Sequence, residues 1–412
     1  MRVEAPGYRM RSLRERLDTP LTSYYLVLGA SVALICFGLV MVLSSSSIES
    51  MAAGGSAFTV FWRQATFAAG GIPLMVLASR TSARTWTVVS WPLLVLALLL
   101  QLLVFVPHLG VVVNGNRNWV ALAGFTLQPS EIGKLALIVW SATVLTRKRQ
   151  LLRDPVHALV PVVPGAALLL LLVLGGHDLG TALILMALVG TVLFVAGAPL
   201  RIFGFAFGFA SVLVLFLVAT SGNRMGRISA WASGCSRVTD YQNDCWQTIH
   251  GQWALASGGW LGVGLGASRE KWGLLPEAHN DFIFAVIGEE LGLVGTLGVL
   301  TLFAILGYGL FRIVMRTDDL FIKIATGGVL TWVLGQAVIN IGAVLGLLPV
   351  VGVPLPLVSS GGSALVMTMV ALGMVIGFAR REAGAREALA ARAGLVERSL
   401  AVLPVRRDGR TR

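Results

Sequence analysis

The residues best suited to chemistry lie in one short run, Pro276–Asp281, where Glu277, His279 and Asp281 crowd together just ahead of a long apolar stretch. Asp281 falls at or near the start of the helix that this stretch predicts, and spacing supports two readings of it equally. The free N–H groups and dipole of a helix N-terminus stabilise a carboxylate, so Asp281 can be a cap. The same carboxylate, at the edge of a low-dielectric region, can accept a proton from a substrate hydroxyl. Glu289 lies on the order of 12 Å further along a straight helix, too far to share a proton with Asp281. Ionisable residues inside a span, such as Glu289 and Glu290, need partners, and an Arg or Lys on another span is the expected one.

A second group of polar residues occupies Asn114–Trp119 and Gln128–Lys134. Pro129, Ser130 and Glu131 have the order of a helix start, with Ser130 as cap and Glu131 in the first turn. Lys134 shares a helical face with Glu131, so it either pairs with that carboxylate or binds a lipid phosphate. Arg117 is a second candidate phosphate ligand. Asp178, in the turn His177–Thr181, reads more readily as the cap of the next helix than as a catalyst. The segment Gly346–Ser363 holds Pro349, Pro354, Pro356 and the run Ser359–Ser363, so it cannot be regular helix. Irregular backbone at a membrane edge is tolerated where it lines a cavity, and a cavity wall is the expectation here. No metal-ligand cluster, phosphate-binding glycine loop or nucleophile motif stands out.

The elements that must position these residues are membrane helices. Of 412 residues 56% are hydrophobic and 13% charged, with a mean hydropathy of +0.81, whereas about a quarter of a soluble domain is charged. Ten spans are expected, near Ser23–Leu43, Phe58–Ala78, Trp86–Val106, Ile132–Leu145, Ala158–Leu174, Thr181–Ala196, Ile202–Thr220, Phe282–Phe311, Ile322–Leu345 and Ala364–Phe378. The formal charge of +12 sits mostly in the tails and in short loops, which is the positive-inside pattern rather than a nucleic-acid footprint. It makes residues 1–22 a basic cytoplasmic segment, residues 23–379 the membrane domain and residues 380–412 a basic cytoplasmic tail, disordered or partly helical. No cleavable signal peptide is apparent. On the outer face the expected segments are Pro107–Gln128, Gly175–Gly180, Ser221–Asp281 and Gly346–Ser363, the third lying between the seventh and eighth helices. At about sixty residues it is too long to be only a connector. Within it Trp253–Ser257 and Trp260 suit either an interfacial amphipathic segment or simple anchoring. Cys36 is expected to be buried in the first span. Cys235 and Cys245 share the outer loop, where an oxidising compartment would allow a disulfide or leave two thiols.

These motifs resemble, in order and across residues 20–380, the SEDS family of FtsW, RodA and SpoVE. The resemblance is carried by Asn114–Trp119, Gln128–Glu131 with Lys134, Asp178–Thr181, Pro276–Asp281 with Glu289–Gly292, and Gln336–Asn340 through Ser360–Ser363. It implies an all-α, ten-helix peptidoglycan glycosyltransferase with both termini cytoplasmic, polymerising lipid II on the outer face of the bacterial cytoplasmic membrane. The family's essential acid maps onto Asp281, which the resemblance therefore makes catalytic. Arg117, Lys134, Glu131, His279, Ser359 and Ser360 become substrate-binding candidates, and Asp178, Glu289, Glu290 and Asn340 supporting ones. No cofactor is required by the sequence, though a divalent cation could share the neutralisation of the diphosphate. Leu17–Leu26 and Gly352–Val358 look most like FtsW-type proteins of high-GC Gram-positive bacteria, which implies septal wall synthesis beside a class B penicillin-binding transpeptidase and other divisome membrane proteins. His177, Ser360 and the stretch 228–246 depart from the family pattern. A RodA-type elongation polymerase, a lipid II flippase and a noncatalytic divisome scaffold are the competing readings. Against the flippase, the polar residues cluster at one face instead of the midplane, where transporters place their sites.

Overall fold

The computed structural model describes residues 19–387 except 20, 53, 114, 123–124, 221, 236–244, 383 and 386. Most of the basic segments 1–22 and 380–412 therefore lies outside the described residues. In chain order the elements are α1 (Thr22–Ala52), α2 (Thr59–Arg80), α3 (Ala83–Leu103), β1 (Gly110–Val113), β2 (Asn116–Leu122), β3 (Phe125–Leu127), α4 (Pro129–Arg147), α5 (Pro155–Leu159), α6 (Val162–Gly175), α7 (Leu179–Val195), α8 (Leu200–Ala219), α9 (Gly222–Ser233), α10 (Trp246–Gly258), α11 (Ile283–Arg316), α12 (Leu320–Val344) and α13 (Gly362–Ala379).

Each expected span coincides with a helix, because in hydrocarbon only a helix pairs every N–H and C=O of an isolated segment. Six of these helices, α1, α3, α8, α11, α12 and α13, are long and apolar enough to cross a membrane, and α6 and α7 are shorter apolar helices. The bundle is organised around α4, buried on every side from Gly133 to Leu145, with Lys134, Ser141 and Thr143 enclosed among its apolar residues. It packs on α3, α12, α7, α6 and α13. By contrast α8 buries only Val218, and Phe205, Phe207, Phe209 and Leu215 point outward. Helix α13 lies against α2 so closely that a Cβ on Gly373 would fall 2.3 Å from the Met75 carbonyl oxygen, the close backbone approach that small residues permit between membrane helices.

Several side chains tie one end of the bundle together. Arg312 at the end of α11 donates to Ser23 Oγ and to the Thr19 carbonyl, Ser23 donates to Glu382, and Arg381 donates to the Thr81 carbonyl. The first and last described stretches thus meet beside Arg80 and Arg316. At the opposite end sit the four segments expected on the outer face.

Three local expectations are corrected. The segment 107–128 is not wholly loop: within the all-α membrane fold β1, β2 and β3 form a short antiparallel sheet in the order β1-β2-β3, with Val111 opposite Trp119 and Ala121 opposite Thr126. The reason is local, since short β-branched and aromatic runs flank a turn whose Gly115 takes φ +81°. Cys36 is exposed on the outside of α1, because the helix turns its Ser31, Leu34 and Ile35 face inward instead. Helix α11 is interrupted at Gly292, with φ 65° and ψ −160°, a conformation essentially reserved for glycine. The chain between α10 and α11 inserts at this break: Val263 N–H bonds the Glu289 carbonyl, Gly264 N–H that of Glu290, and Leu293 and Val294 N–H groups bond the carbonyls of Gly259 and Trp260. These four bonds partner backbone groups on both sides of the break, which is how non-helical backbone survives when buried in protein. Cys235 and Cys245 are joined as a disulfide.

Candidate active site

Asp281 sits at the head of α11 in a turn closed by hydrogen bonds from Asn280 N–H and Phe282 N–H to the Glu277 carbonyl. Three neighbours fix its main chain. Asn340 on α12 donates to the Asp281 carbonyl, Ser359 Oγ donates to that of Asn280, and Ser360 N–H donates to that of His279. The segment 352–361 is therefore laced directly onto 279–281. Gln64 on α2 holds its far side, donating to the Ser359 carbonyl and accepting from Gly361 N–H.

The carboxylate itself is left free. The residue at the helix N-cap is Phe282, with no side-chain cap, so capping does not account for Asp281. Its side chain lines a narrow cleft with Ile339, Asn340, Ala343 and Val350–Val353. Burial, with the nearby charges of Glu277 and, more weakly, Asp178, outweighs the attraction of Arg227 and pushes its pKa up to about 7. A carboxyl poised there is half-ionised at neutral pH, the condition a general base needs.

The other expected residues divide into those that reach this cleft and those that do not. Asp178 caps α7 through Thr181 N–H at 2.9 Å and also accepts from Gln128, which ties α7 to the head of α4. Arg117 lies on β2, whose backbone bonds the Gly176 carbonyl, and its guanidinium has no partner among the described residues. Lys134 is 1% exposed: its ammonium bonds Glu131 at 2.8 Å and Gln336 at 3.1 Å and stands 4.8 Å from the Trp332 ring centre. Its charge and that of Glu131 are neutralised inside the bundle, so the ion pair, not a phosphate, is what holds them. Gln336 passes the link on to the Pro354 carbonyl in the cleft wall.

Ser359 is likewise occupied, accepting from Leu355 N–H while its one proton goes to the Asn280 carbonyl; it builds the site and has no proton left to donate to a ligand. Ser360 contributes its N–H to the same lacing. His279 Nδ1 lies 2.9 Å from Glu49 Oε2 without the alignment of a hydrogen bond. Ser130 does not cap α4; Gln128 takes the N-cap position and Ser130 Oγ is buried without a partner among the described residues. The partners of Glu289 and the charged partner of Glu290 come from the loop between α10 and α11, not from another span's Arg or Lys. Glu289 accepts from Ser268 Oγ and Arg269 N–H, and Glu290 from Lys271 at 2.9 Å and from Ser44. Arg227 is the residue that sequence reasoning missed. Nothing in its spacing marks it, because only the docking of α9 brings it to the cleft. Among the described residues no three His, Cys, Asp or Glu side chains converge to hold a metal ion.

The chain is thus a helical membrane protein that, at the loop-bearing end of its bundle, holds a buried carboxylate with no hydrogen-bond or ion-pair partner among the described residues, facing a narrow cleft. Residues 25–383 match the FtsW/RodA/SpoVE family, described as cell cycle proteins, and the chain belongs to it. It is 39% identical to the probable peptidoglycan glycosyltransferase FtsW of Mycobacterium tuberculosis, covering 91% of this chain and 71% of the relative. It is 37% identical to the protein of the same name from Geobacter metallireducens, over 87% and 95% of the two chains. Among solved structures, the rod shape determining protein RodA of Thermus thermophilus superposes with a TM-score of 0.65 at 27% identity, covering 87% of this chain and 97% of that one. A chain of a peptidoglycan synthase complex that coordinates polymerization and crosslinking superposes with a TM-score of 0.67 at 28% identity, over 86% and 96%.

Proposed function

We propose that this chain is a peptidoglycan glycosyltransferase of the FtsW type, polymerising lipid II for septal wall synthesis at the outer face of the cytoplasmic membrane. The observation that carries the reading is the free carboxylate of Asp281, held by its main chain and facing a cleft. The names of the relatives and the family membership agree with it. In the reaction Asp281 accepts the proton of the acceptor GlcNAc 4-hydroxyl as that oxygen attacks the anomeric carbon of a MurNAc carried on a polyprenyl diphosphate. The α-linked diphosphate leaves and a β-1,4 linkage forms, with inversion.

Asn340, Ser359, Gln64 and Ser360 hold the base in place, while Lys134, Glu131 and Gln336 brace the wall behind the cleft. Arg117, unpartnered among the described residues, is suited to the lipid phosphate at the membrane edge. In this reading the ten helices all span, both termini are cytoplasmic and Asp281 opens outward. The partner is a class B penicillin-binding transpeptidase, in keeping with the likeness to a chain of a synthase complex. The test is polymerisation of purified labelled lipid II in proteoliposomes, with and without that partner. Wild-type chain should make glycan and Asp281→Asn should make none; glycan from the variant would remove the assignment.

A further inference from the structure

We propose that Arg227 binds the diphosphate of the glycosyl donor, facing Asp281 across the cleft; this rests on the glycosyltransferase reading above. Helix α9 docks one face on the segment that forms the cleft wall. Trp231 Nε1 donates to the Gly346 carbonyl at 3.1 Å, and Arg227, one turn earlier, reaches the Val350 carbonyl with Nη1 at 3.5 Å. The guanidinium is thereby carried to the rim of the cleft.

Both charged groups border Gly352. A Cβ built there would stand 3.5 Å from Asp281 Oδ2 and 4.0 Å from Arg227 Nη1. No side chain occupies that gap, and among the described residues the carboxylate has no ion-pair partner, so the two groups flank an open space rather than closing it. An inverting displacement has the base and the leaving group on opposite faces of the anomeric carbon, and a space bordered by both a carboxylate and a guanidinium offers a group for each. The acceptor proton passes to Asp281 and the new C–O bond forms. The bond to the diphosphate oxygen breaks with its electron pair remaining on that oxygen, where a cation is needed.

The two buried lysines are already committed, and Arg117 lies on β2, away from the residues that line the cleft. Lys134 is consumed by Glu131 and Gln336, and Lys271 by Glu290 and Ser44. Arg227 has one long contact to a carbonyl and is exposed, leaving most of its planar fork of N–H donors free for the bidentate grip on phosphate that guanidinium provides.

The test measures binding of radiolabelled undecaprenyl diphosphate to the full chain in nanodiscs, apart from turnover. Arg227→Gln should weaken that binding on the order of 10-fold, the loss of a charge-assisted contact, and Arg227→Lys should weaken it less. Undecaprenol binding should be unchanged in both. Competition by inorganic pyrophosphate but not by phosphatidylglycerol vesicles marks the diphosphate, and not a lipid headgroup, as the ligand. Trp231→Phe removes the neighbouring α9 contact and keeps the charge, and should bind as wild type does. In turnover, Arg227→Gln should also move the acidic limb of the rate profile to higher pH, since a positive charge facing Asp281 is gone. Unchanged diphosphate affinity, an equal loss in Trp231→Phe, an equal loss for undecaprenol, or competition by phosphatidylglycerol would overturn the proposal. If Arg227→Gln fails to fold, Arg227→Lys decides by the same affinity criterion. Glycan made by Asp281→Asn would instead overturn the reading of the site while leaving this binding result standing.

Discussion

The two amide protons of Asn340 are shared between the main-chain carbonyls of Asp281 and Val353, each at 2.7 Å. One side chain on α12 thus sets the distance between the proposed base and the opposite wall of its cleft. The carboxylate can stay free because its backbone, not its side chain, carries the fixing bonds.

Replacing Asn340 with Leu should leave two carbonyls without a donor, costing about 1–3 kcal/mol. The loss in activity should fall mainly on kcat, because the base is displaced while the surfaces that hold the lipid remain. Initial rates over a range of lipid II concentrations, beside thermal unfolding in detergent, check this. A change confined to KM would argue that Asn340 contacts substrate and does not position Asp281.

The raised pKa of Asp281 fixes the sign of two pH effects. As a base it works ionised, so the rate should rise with pH through a midpoint near 7. Glu277 raises that pKa, so Glu277→Gln should move the midpoint down. For stability the sign is opposite: the folded state holds the proton more tightly than the unfolded chain, whose carboxyl titrates near 3.8. Stability from this group is therefore full below pH 4 and lost as pH rises toward 7. Asp281→Asn, inactive, should show a higher unfolding temperature than wild type at pH 8, with the gap closing toward pH 4. A gap that widened at low pH would contradict the buried-acid account.

The helices were legible in the sequence because hydrocarbon admits few alternatives to an apolar helix. What escaped was decided by contacts far apart in the chain. Whether Lys134 faced a lipid phosphate or Gln336 depended on how α12 packs against α4. Arg227 acquires meaning only through the docking of α9 on Gly346 and Val350. The sheet around Arg117 was hidden by strands only a few residues long. Asp281 stood out by type and place, but spacing could not separate base from cap; the resemblance favoured the base, and the bare carboxylate removes the cap. Gly292 passed as one more glycine in an apolar run, since the groups that complete its break come from some thirty residues earlier.

That break gives a prediction of its own. A Cβ at Gly292 would lie 2.4 Å from Gly262 N and 2.6 Å from the Trp260 carbonyl oxygen, both backbone atoms that cannot rotate away. Gly292→Ala should cost more than about 2 kcal/mol from strain and from loss of the bonds that seat residues 259–264. The loop should become sensitive to protease added from the outer side before the bundle unfolds. A variant with wild-type unfolding temperature and protease resistance would mean that α11 is continuous there.

The segment leading into Asp281 hangs on the pair Lys271 and Glu290, whose side chains are 1% and 0% exposed and 2.9 Å apart. Ser44 on α1 donates to the same carboxylate, so three parts of the chain meet at one buried charge. Removing one partner strands the other in a low-dielectric interior, a cost of about 3–5 kcal/mol, whereas replacing both with apolar residues is often neutral or better. Lys271→Met and Glu290→Met should therefore each lower the unfolding temperature and reduce glycan synthesis, because the turn 276–281 loses its tether. The double variant should recover stability beyond either single. If it also recovers polymerisation, the pair serves to seat the loop and not to move protons. If the two losses simply add, the charges are not coupled and the tether must lie instead in Ser268, Arg269 and Glu289.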